Sequence, residues 1–181
     1  FKSQSEIITA VLLILIVVVT VFIVIGFIVP FVKDQLSSSE CIKVIGDEKL
    51  GIVNNPLYTC YDNNDVTEGL RVQIFIGDAL DKISSFKIEA GGASTSAIDV
   101  IAGEASADNT DPIAGDICMY DSITNSCSTI DTIEYPDKNE KRTYRLILDS
   151  SEPDFIKVYP VLKNGKVCGV SSSIAPVPIC E

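Results

Sequence analysis

The sequence has 181 residues, 46% of them hydrophobic, and its 25 acidic and 14 basic side chains give a formal charge of −11. This length leaves room for one membrane-length segment and one globular domain of about 150 residues. An acidic surface repels nucleic-acid backbones and anionic lipid headgroups, so we expect no nucleic-acid partner. The sequence has no histidine, which excludes His-based catalytic triads and imidazole metal ligands.

Residues 7–32 are unusual because none of these 26 residues is charged. As an α-helix the segment would be about 39 Å long, which exceeds the hydrocarbon core of a bilayer at about 30 Å. Seventeen of the 26 residues are Val, Ile or Thr, but a β-strand of this length would lie far outside the normal range. The segment has no polar stripe, so we expect a helix that lipid or other apolar helices surround on every side.

The two ends of this helix carry recognisable signals. Ser3 and Glu6 have the spacing of a capping box, which predicts Ser3 as the N-cap and a helix that begins at about residue 4. Near the other end, the ring of Pro30 would clash with the carbonyl group of Gly26 in a regular helix. We therefore expect a kink between residues 26 and 30.

After the helix, the chain is predicted to leave the apolar zone at residues 33–36 and to pass through a linker at residues 37–39. The predicted domains are the hydrophobic helix, residues 1–36, and an extracellular domain, residues 37–181. No basic cluster precedes the apolar segment, although a membrane span usually carries one at its cytoplasmic end. Either a short leader is removed ahead of Phe1, or the sequence begins part-way along a longer chain.

The start of the chain, Phe-Lys-Ser-Gln-Ser-Glu followed by the apolar run, resembles the mature N-terminus of the type IV pilin superfamily. The resemblance covers about the first 32 residues and is strongest to archaeal pilins with class III signal peptides. It implies that a prepilin peptidase cuts the chain ahead of the helix. It also implies that an assembly ATPase and a membrane platform protein then move the subunit from the bilayer into a helical filament of identical chains.

The resemblance places the assembly contacts on the N-terminal helix. An all-round apolar helix can exchange lipid for identical helices without meeting water, and close packing then holds the helices together. Bacterial pilins have a glutamate at the fifth mature residue, whereas this chain has Ser5 and Glu6. Glu6 therefore has two candidate roles, the local cap or an ion pair with a neighbouring subunit's terminal amine. The candidate assembly residues are Phe1, Glu6, Ile14, Val18, Ile25, Gly26 and Pro30.

All six cysteines follow the apolar segment. An even number of cysteines after a membrane-directing segment indicates three disulfides in an oxidising, extracytoplasmic compartment. Metal binding is the alternative, but the sequence has no CxxC pair and no histidine. Fifteen connectivities are open, and our first expectation is sequential pairing, with bonds Cys41–Cys60, Cys118–Cys127 and Cys168–Cys180.

Short runs of β-forming residues recur between turn signals after the helix. This spacing predicts an all-β, disulfide-stapled, sandwich-like domain. Apolar and polar residues alternate clearly at residues 71–76 and 142–148, and Asn164-Gly165 should close the last two strands as a hairpin. Residues 83–100 resemble, more weakly, the β-rich outer domain of archaellins and some archaeal pilins. The predicted runs are residues 42–45, 57–61, 70–76, 85–90, 97–101, 117–120, 129–135, 143–149, 155–162 and 167–173.

The β domain carries few signs of catalytic chemistry. Gly91-Gly92 lacks the Lys-Ser/Thr of a phosphate-binding loop, and no Gly-x-Ser-x-Gly elbow occurs, so we expect no enzymatic activity and no cofactor. Two acidic loops are weak calcium candidates, with Asp62 and Asp65 in the first and Asp108 and Asp111 in the second. Neither loop fits an EF-hand, and solvated turns rich in Asp and Asn are the alternative.

These features predict the mature structural subunit of an extracellular archaeal type IV pilus-like filament that mediates adhesion or surface contact. The helix would lie in the membrane before assembly. Two alternatives stay open. The first alternative is an archaellin of a motility filament, and the second is a singly anchored cell-surface binding protein that does not polymerise.

Overall fold

The computed structural model divides the chain into two compact units, Phe1–Ser39 and Glu40–Glu181. For residues 2–10, 30 and 33–37 the backbone alone is described. The described residues are 2–63, 69–92, 95–104, 116–123, 126–128, 132–148 and 152–180.

The first unit is helical throughout its described length. Helix α1 spans Lys2–Ile23, a π-helical turn spans Val24–Ile28, and helix α2 spans Val29–Ile42. A helix forms despite the many β-branched residues because it satisfies its backbone hydrogen bonds within one segment, which an apolar environment requires. Helix α1 already includes Ser3, so the backbone does not place Ser3 at the N-cap that the predicted capping box requires.

The π-helical turn lies immediately before Pro30. In a regular α-helix this proline would leave the carbonyl group of Gly26 without its hydrogen bond and would press its ring against that group. In the structure the N–H of Val29 donates to the carbonyl group of Val24, a bond that spans five residues and widens the helix. The irregularity predicted between residues 26 and 30 is therefore a π-helical turn at residues 24–28.

Helix α2 continues further than the sequence predicted. Residues 37–39 belong to this helix, so their prediction as a linker is wrong, and so is the prediction of a strand at residues 42–45. The sequence has no glycine or proline between Pro30 and Gly46, so nothing interrupts the helix early. Gly46, with φ of 124°, follows the end of the helix.

The second unit contains two antiparallel β-sheets. The first sheet has the order β1–β3–β8–β6–β7, and β2 also pairs with β3, while the second has the order β10–β9–β4–β5. Strands β1 and β2 share one edge of β3, because the other edge pairs with β8. The strands within the described residues are β1 Leu50–Ile52, β2 Cys60–Asp62, β3 Gly69–Ile76, β4 Ile83–Gly91, β5 Thr95–Val100, β6 Ile117–Asp121, β7 Ser126–Cys127, β8 Glu140–Leu146, β9 Phe155–Leu162 and β10 Ser172–Ile174.

The hydrophobic core lies between the two sheets, so the domain is sandwich-like. Alternate residues of β3, such as Val72 and Ile74, are fully buried, which confirms the alternation predicted at residues 71–76. Tyr144 of β8 points into the same core from the first sheet. Its ring lies 5.8 Å from that of Phe86 in β4, an edge-to-face contact that joins the two sheets.

The predicted hairpin at Asn164-Gly165 is confirmed. Gly165 has φ of 82°, a conformation that favours glycine. The N–H of Gly165 donates to the carbonyl group of Leu162 at 2.8 Å, and Leu162 in turn donates to the carbonyl group of Lys166 at 2.9 Å. Regular pairing with β9 resumes only at β10, so the last strand is shorter than predicted.

Candidate functional site

The apolar helix leaves its side chains exposed within this chain. Residues Val11–Ile28 have a mean hydropathy of 3.5, and none of them is buried. Ile14 is 64% exposed, Val18 46% and Ile25 62%. Leaving one such side chain in water instead of burying it costs roughly 1.5–3 kcal/mol. The segment is long and apolar enough to cross a membrane and has the composition of a membrane anchor or signal segment.

Gly26 lies in the π-helical turn, and a Cβ atom added there would meet no heavy atom within 4 Å. The Thr20 hydroxyl donates to the carbonyl group of Ile16 at 2.8 Å, so this polar side chain is satisfied inside its own helix. Phe1 lies outside the described residues, and the side chains of Glu6 and Pro30 are not described. Their assembly roles therefore stay predictions.

All six cysteines are paired. The expected bond Cys118–Cys127 is present, whereas the expected bonds Cys41–Cys60 and Cys168–Cys180 are wrong. The structure pairs Cys41 with Cys168 and Cys60 with Cys180. Three disulfides in one domain indicate an oxidising, extracytoplasmic environment.

The long-range bonds follow from the way the C-terminal segment returns to the start of the domain. The N–H of Tyr61 donates to the carbonyl group of Pro178 at 2.8 Å. The N–H of Cys180 donates to the carbonyl group of Tyr61 at 2.9 Å. This pairing brings the Cα atoms of Cys60 and Cys180 to 5.0 Å. Sequential pairing assumes that cysteines close in sequence are close in space, and that assumption fails here.

The calcium candidate Asp62 is bound to an arginine. Its side chain is 5% exposed, and Nη2 of Arg71 lies 2.8 Å from its Oδ2. Nη1 of Arg71 donates to the Tyr120 hydroxyl at 2.8 Å, and the guanidinium lies 5.0 Å from the centre of the Tyr120 ring. A buried carboxylate already paired with a cation is a poor calcium ligand, so the structure does not support that role for Asp62.

The remaining calcium candidates, Asp65, Asp108 and Asp111, lie outside the described residues. Within the described ranges, no group of three or more Cys, Asp or Glu side chains is arranged to hold a metal ion.

Arg145 lies near the Asp62–Arg71 pair. Burial lowers the pKa of Arg145, while the charge of Asp62 opposes that shift. The contacts of Arg71 with Asp62 and Tyr120 connect β3 with β2 and β6.

Two tyrosines make folding sensitive to alkaline pH. The Tyr144 hydroxyl donates to the carbonyl group of Glu134 at 2.6 Å, and burial raises the pKa of Tyr144 far above its ordinary value. Burial, with a hydrogen bond to Glu89, raises the pKa of Tyr159 to about 12. Because the folded state favours the protonated hydroxyls, their stabilising contribution is complete below a pH of about 10 and falls above it. The contribution of Tyr159 is lost as the pH rises through about 12, and that of Tyr144 is lost at still higher pH.

We therefore expect the melting temperature to fall steeply above a pH of about 10. The Tyr144→Phe variant lacks the hydrogen bond to Glu134 and should lose about 1 kcal/mol of stability at neutral pH. Its melting temperature should fall less steeply above a pH of about 10 than that of the wild type. Circular dichroism melts of the protein in detergent across this pH range measure both effects. Tyr58→Phe, at an exposed tyrosine, is the control. An alkaline profile of Tyr144→Phe identical to that of the wild type would contradict the assignment.

A basic cavity lies at one end of the second sheet. It has a volume of about 510 Å³, and we call it the lysine pocket. The sequence alone does not reveal this pocket, because its three lysines come from separate segments of the chain that only the fold brings together. The pocket is lined by Glu40, Lys43, Lys82, Leu162, Lys163 and Asn164.

No protein-family model matches this chain, and no curated protein matches it. Among solved structures, the chain is similar to a purple acid phosphatase isolated from yellow lupin (Lupinus luteus) seeds, with 14% sequence identity and a TM-score of 0.35. The match covers 74% of this chain and 20% of that enzyme, so the chain spans about a fifth of the enzyme's length. A likeness this low carries no argument about fold or activity.

Proposed function

We propose that this chain is a non-enzymatic structural subunit of an extracellular type IV pilus-like filament, which mediates adhesion or surface contact. The observation that carries the proposal is the helix Val11–Ile28, which has a mean hydropathy of 3.5, no charged residue and no buried residue within its own chain. Such a helix requires an apolar cover that the chain itself does not supply. Lipid provides that cover before assembly, and the helices of other subunits provide it in the filament.

The geometry of the helix favours close packing with its own copies. Gly26 has open space around its Cα, and small residues allow helix backbones to approach each other closely in apolar surroundings. Ile14, Val18 and Ile25 supply exposed branched side chains for the same bundle. A subunit can therefore exchange lipid contacts for helix contacts without exposing apolar surface to water.

The second unit suits the outside of such a filament. Its three disulfides fit an oxidising exterior. The sequence outside Lys2, Glu6 and Lys33 carries 12 basic and 24 acidic residues, so the outer surface is strongly acidic. The resemblance at the N-terminus adds a prepilin peptidase, an assembly ATPase and a platform protein as partners before assembly.

The same exposed helix also favours a second candidate, a singly anchored cell-surface protein that does not polymerise. A permanent anchor keeps its helix in lipid, where each apolar side chain is covered as well as it would be in a bundle. The two candidates differ in one observable, which is whether the chain forms polymers outside the cell.

Electron microscopy of material sheared from cells that produce this protein, combined with mass spectrometry, tests the proposal. We expect thin filaments whose subunit is this chain, and the subunit mass reports which residue begins it. A monomer found solely in detergent-extracted membrane would refute the filament and favour the anchored protein. A motility assay of a deletion strain then separates a pilus from an archaellum.

A further inference from the structure

The β4–β9 strand pair carries opposite charges at its two ends. Lys82 immediately precedes β4 and Lys163 immediately follows β9, and the N–H of Lys163 donates to the carbonyl group of Lys82 at 3.4 Å. Both side chains line the lysine pocket, together with Lys43. Glu40 is the one carboxylate among the described residues that line the pocket, so the local charge of this lining is positive in a chain whose formal charge is −11.

The far end of the same strand pair is acidic. Gly91 pairs with Phe155, and the N–H of Asp154 donates to the carbonyl group of Gly91 at 2.7 Å. Glu152 and Asp154 are exposed there; we call residues 152–154 the acidic segment. Strand β4 has nine residues, so the two ends lie roughly 27 Å apart at about 3.3 Å per residue.

Neither end forms an ion pair among the described residues. The described ion pairs involve other lysines and arginines, and none includes Lys43, Lys82 or Lys163, although the charges of Lys82 and Asp78 attract each other. The same ion pairs leave out Glu152 and Asp154. Within the described residues, the domain thus presents three lysines and one carboxylate at one end and two carboxylates outside these ion pairs at the other.

We infer that the lysine pocket of one subunit receives the acidic segment of the next subunit, so that the β domains contact one another head to tail. This inference rests on the proposed function. Because the two surfaces are different, an end-on contact between them is heterologous, and a heterologous contact whose rotation does not close builds an open helical filament. Such a contact fits a filament.

The far end of the same strand pair offers an occupant of complementary charge. A neighbouring subunit presents two exposed carboxylates, Glu152 and Asp154, on a short segment with the buried Pro153 between them. Complementary charges of this kind mainly set the register and the choice of partner.

Charge reversal at the two ends tests the inference in cells that assemble filaments. Lys163→Glu and Asp154→Lys should each lower the yield of sheared filaments at least about fivefold, because attraction becomes repulsion at every contact. The double variant with both changes restores opposite charges across the contact, and its yield should return to within about twofold of the wild type. Melting temperature and disulfide mapping of each subunit confirm that the domain is folded.

The controls reverse exposed charges elsewhere in the domain. Lys141→Glu in β8 and Asp137→Lys before it produce the same changes in net charge, and neither residue belongs to either end of the strand pair. Both controls should assemble within about twofold of the wild type. A loss as large as that of Lys163→Glu would show that net charge, and not the head-to-tail contact, governs the yield, and would overturn the inference.

The remaining outcomes separate the inference from the proposed function. Normal yields from Lys163→Glu and Asp154→Lys in cells whose wild-type chain makes filaments would overturn the head-to-tail contact and leave the filament intact. Loss of filaments in Lys163→Glu without rescue in the double variant, while Asp154→Lys assembles normally, would assign the pocket to another occupant and overturn the inference. A wild-type chain that forms no filaments would overturn both.

Discussion

Cells that produce the Val18→Lys or the Ile25→Lys chain will release no filaments, although the β domain of each chain will fold as in the wild type. Both positions lie in a span with a mean hydropathy of 3.5 and no buried residue. In a bundle of such helices a lysine would be surrounded by apolar side chains without a partner charge, which costs several kcal/mol. That cost recurs at every subunit, so we expect no filament to form.

Two kinds of control isolate the effect of charge in the helix. Val18→Leu keeps the position apolar and should assemble normally. Val170→Lys places a lysine at a valine of the β domain that is 41% exposed, close to the 46% of Val18, and should also assemble. The readouts are filament yield by electron microscopy and the amount of subunit in the membrane fraction. Filaments of normal abundance from both helix variants would refute assembly through this helix.

The parts of the fold that sequence predicted correctly depend on local patterns. The charge-free run at residues 7–32 is too long for a strand. At residues 71–76 apolar and polar residues alternate, so all the apolar side chains lie on one face of the strand, and that face is the one buried. Asn164-Gly165 supplies a turn that glycine favours. Each of these signals lies within a few neighbouring residues, so the rest of the fold is not needed to interpret it.

The parts that sequence missed depend on contacts between distant segments. Strand β1 is three residues long with Gly51 at its centre, a sequence with weak β preference. The glycine is required because a Cβ atom there would clash with the backbone of Asp47. The lysine pocket likewise joins segments more than a hundred residues apart. No local pattern encodes those neighbours.

Replacing either long-range disulfide will destabilise the domain by about 1 kcal/mol more than replacing the short one. The cysteines are separated by 127 residues in Cys41–Cys168 and by 120 in Cys60–Cys180, but by only 9 in Cys118–Cys127. A disulfide that closes a longer loop removes more conformational entropy from the unfolded chain. Because the other long-range bond stays intact in each variant, the loop that either bond closes is effectively about 30 residues long, and the expected losses are about 3.7 kcal/mol for either long-range pair and about 2.6 kcal/mol for the short pair. Domains of this size are stable by only about 5–15 kcal/mol.

Urea unfolding in detergent measures how much free energy of unfolding each of three double variants loses. The variants are Cys41→Ala/Cys168→Ala, Cys60→Ala/Cys180→Ala and Cys118→Ala/Cys127→Ala. Replacing both cysteines of a bond avoids a free thiol that would exchange with the remaining bonds. The short-loop variant is the matched control, because it also loses two cysteines and one crosslink. A non-reducing digest of the wild type should yield peptides linked through Cys41–Cys168 and Cys60–Cys180. Equal losses in all three variants, or peptides linked in sequential order, would contradict the observed connectivity and the return of the C-terminal segment to β2.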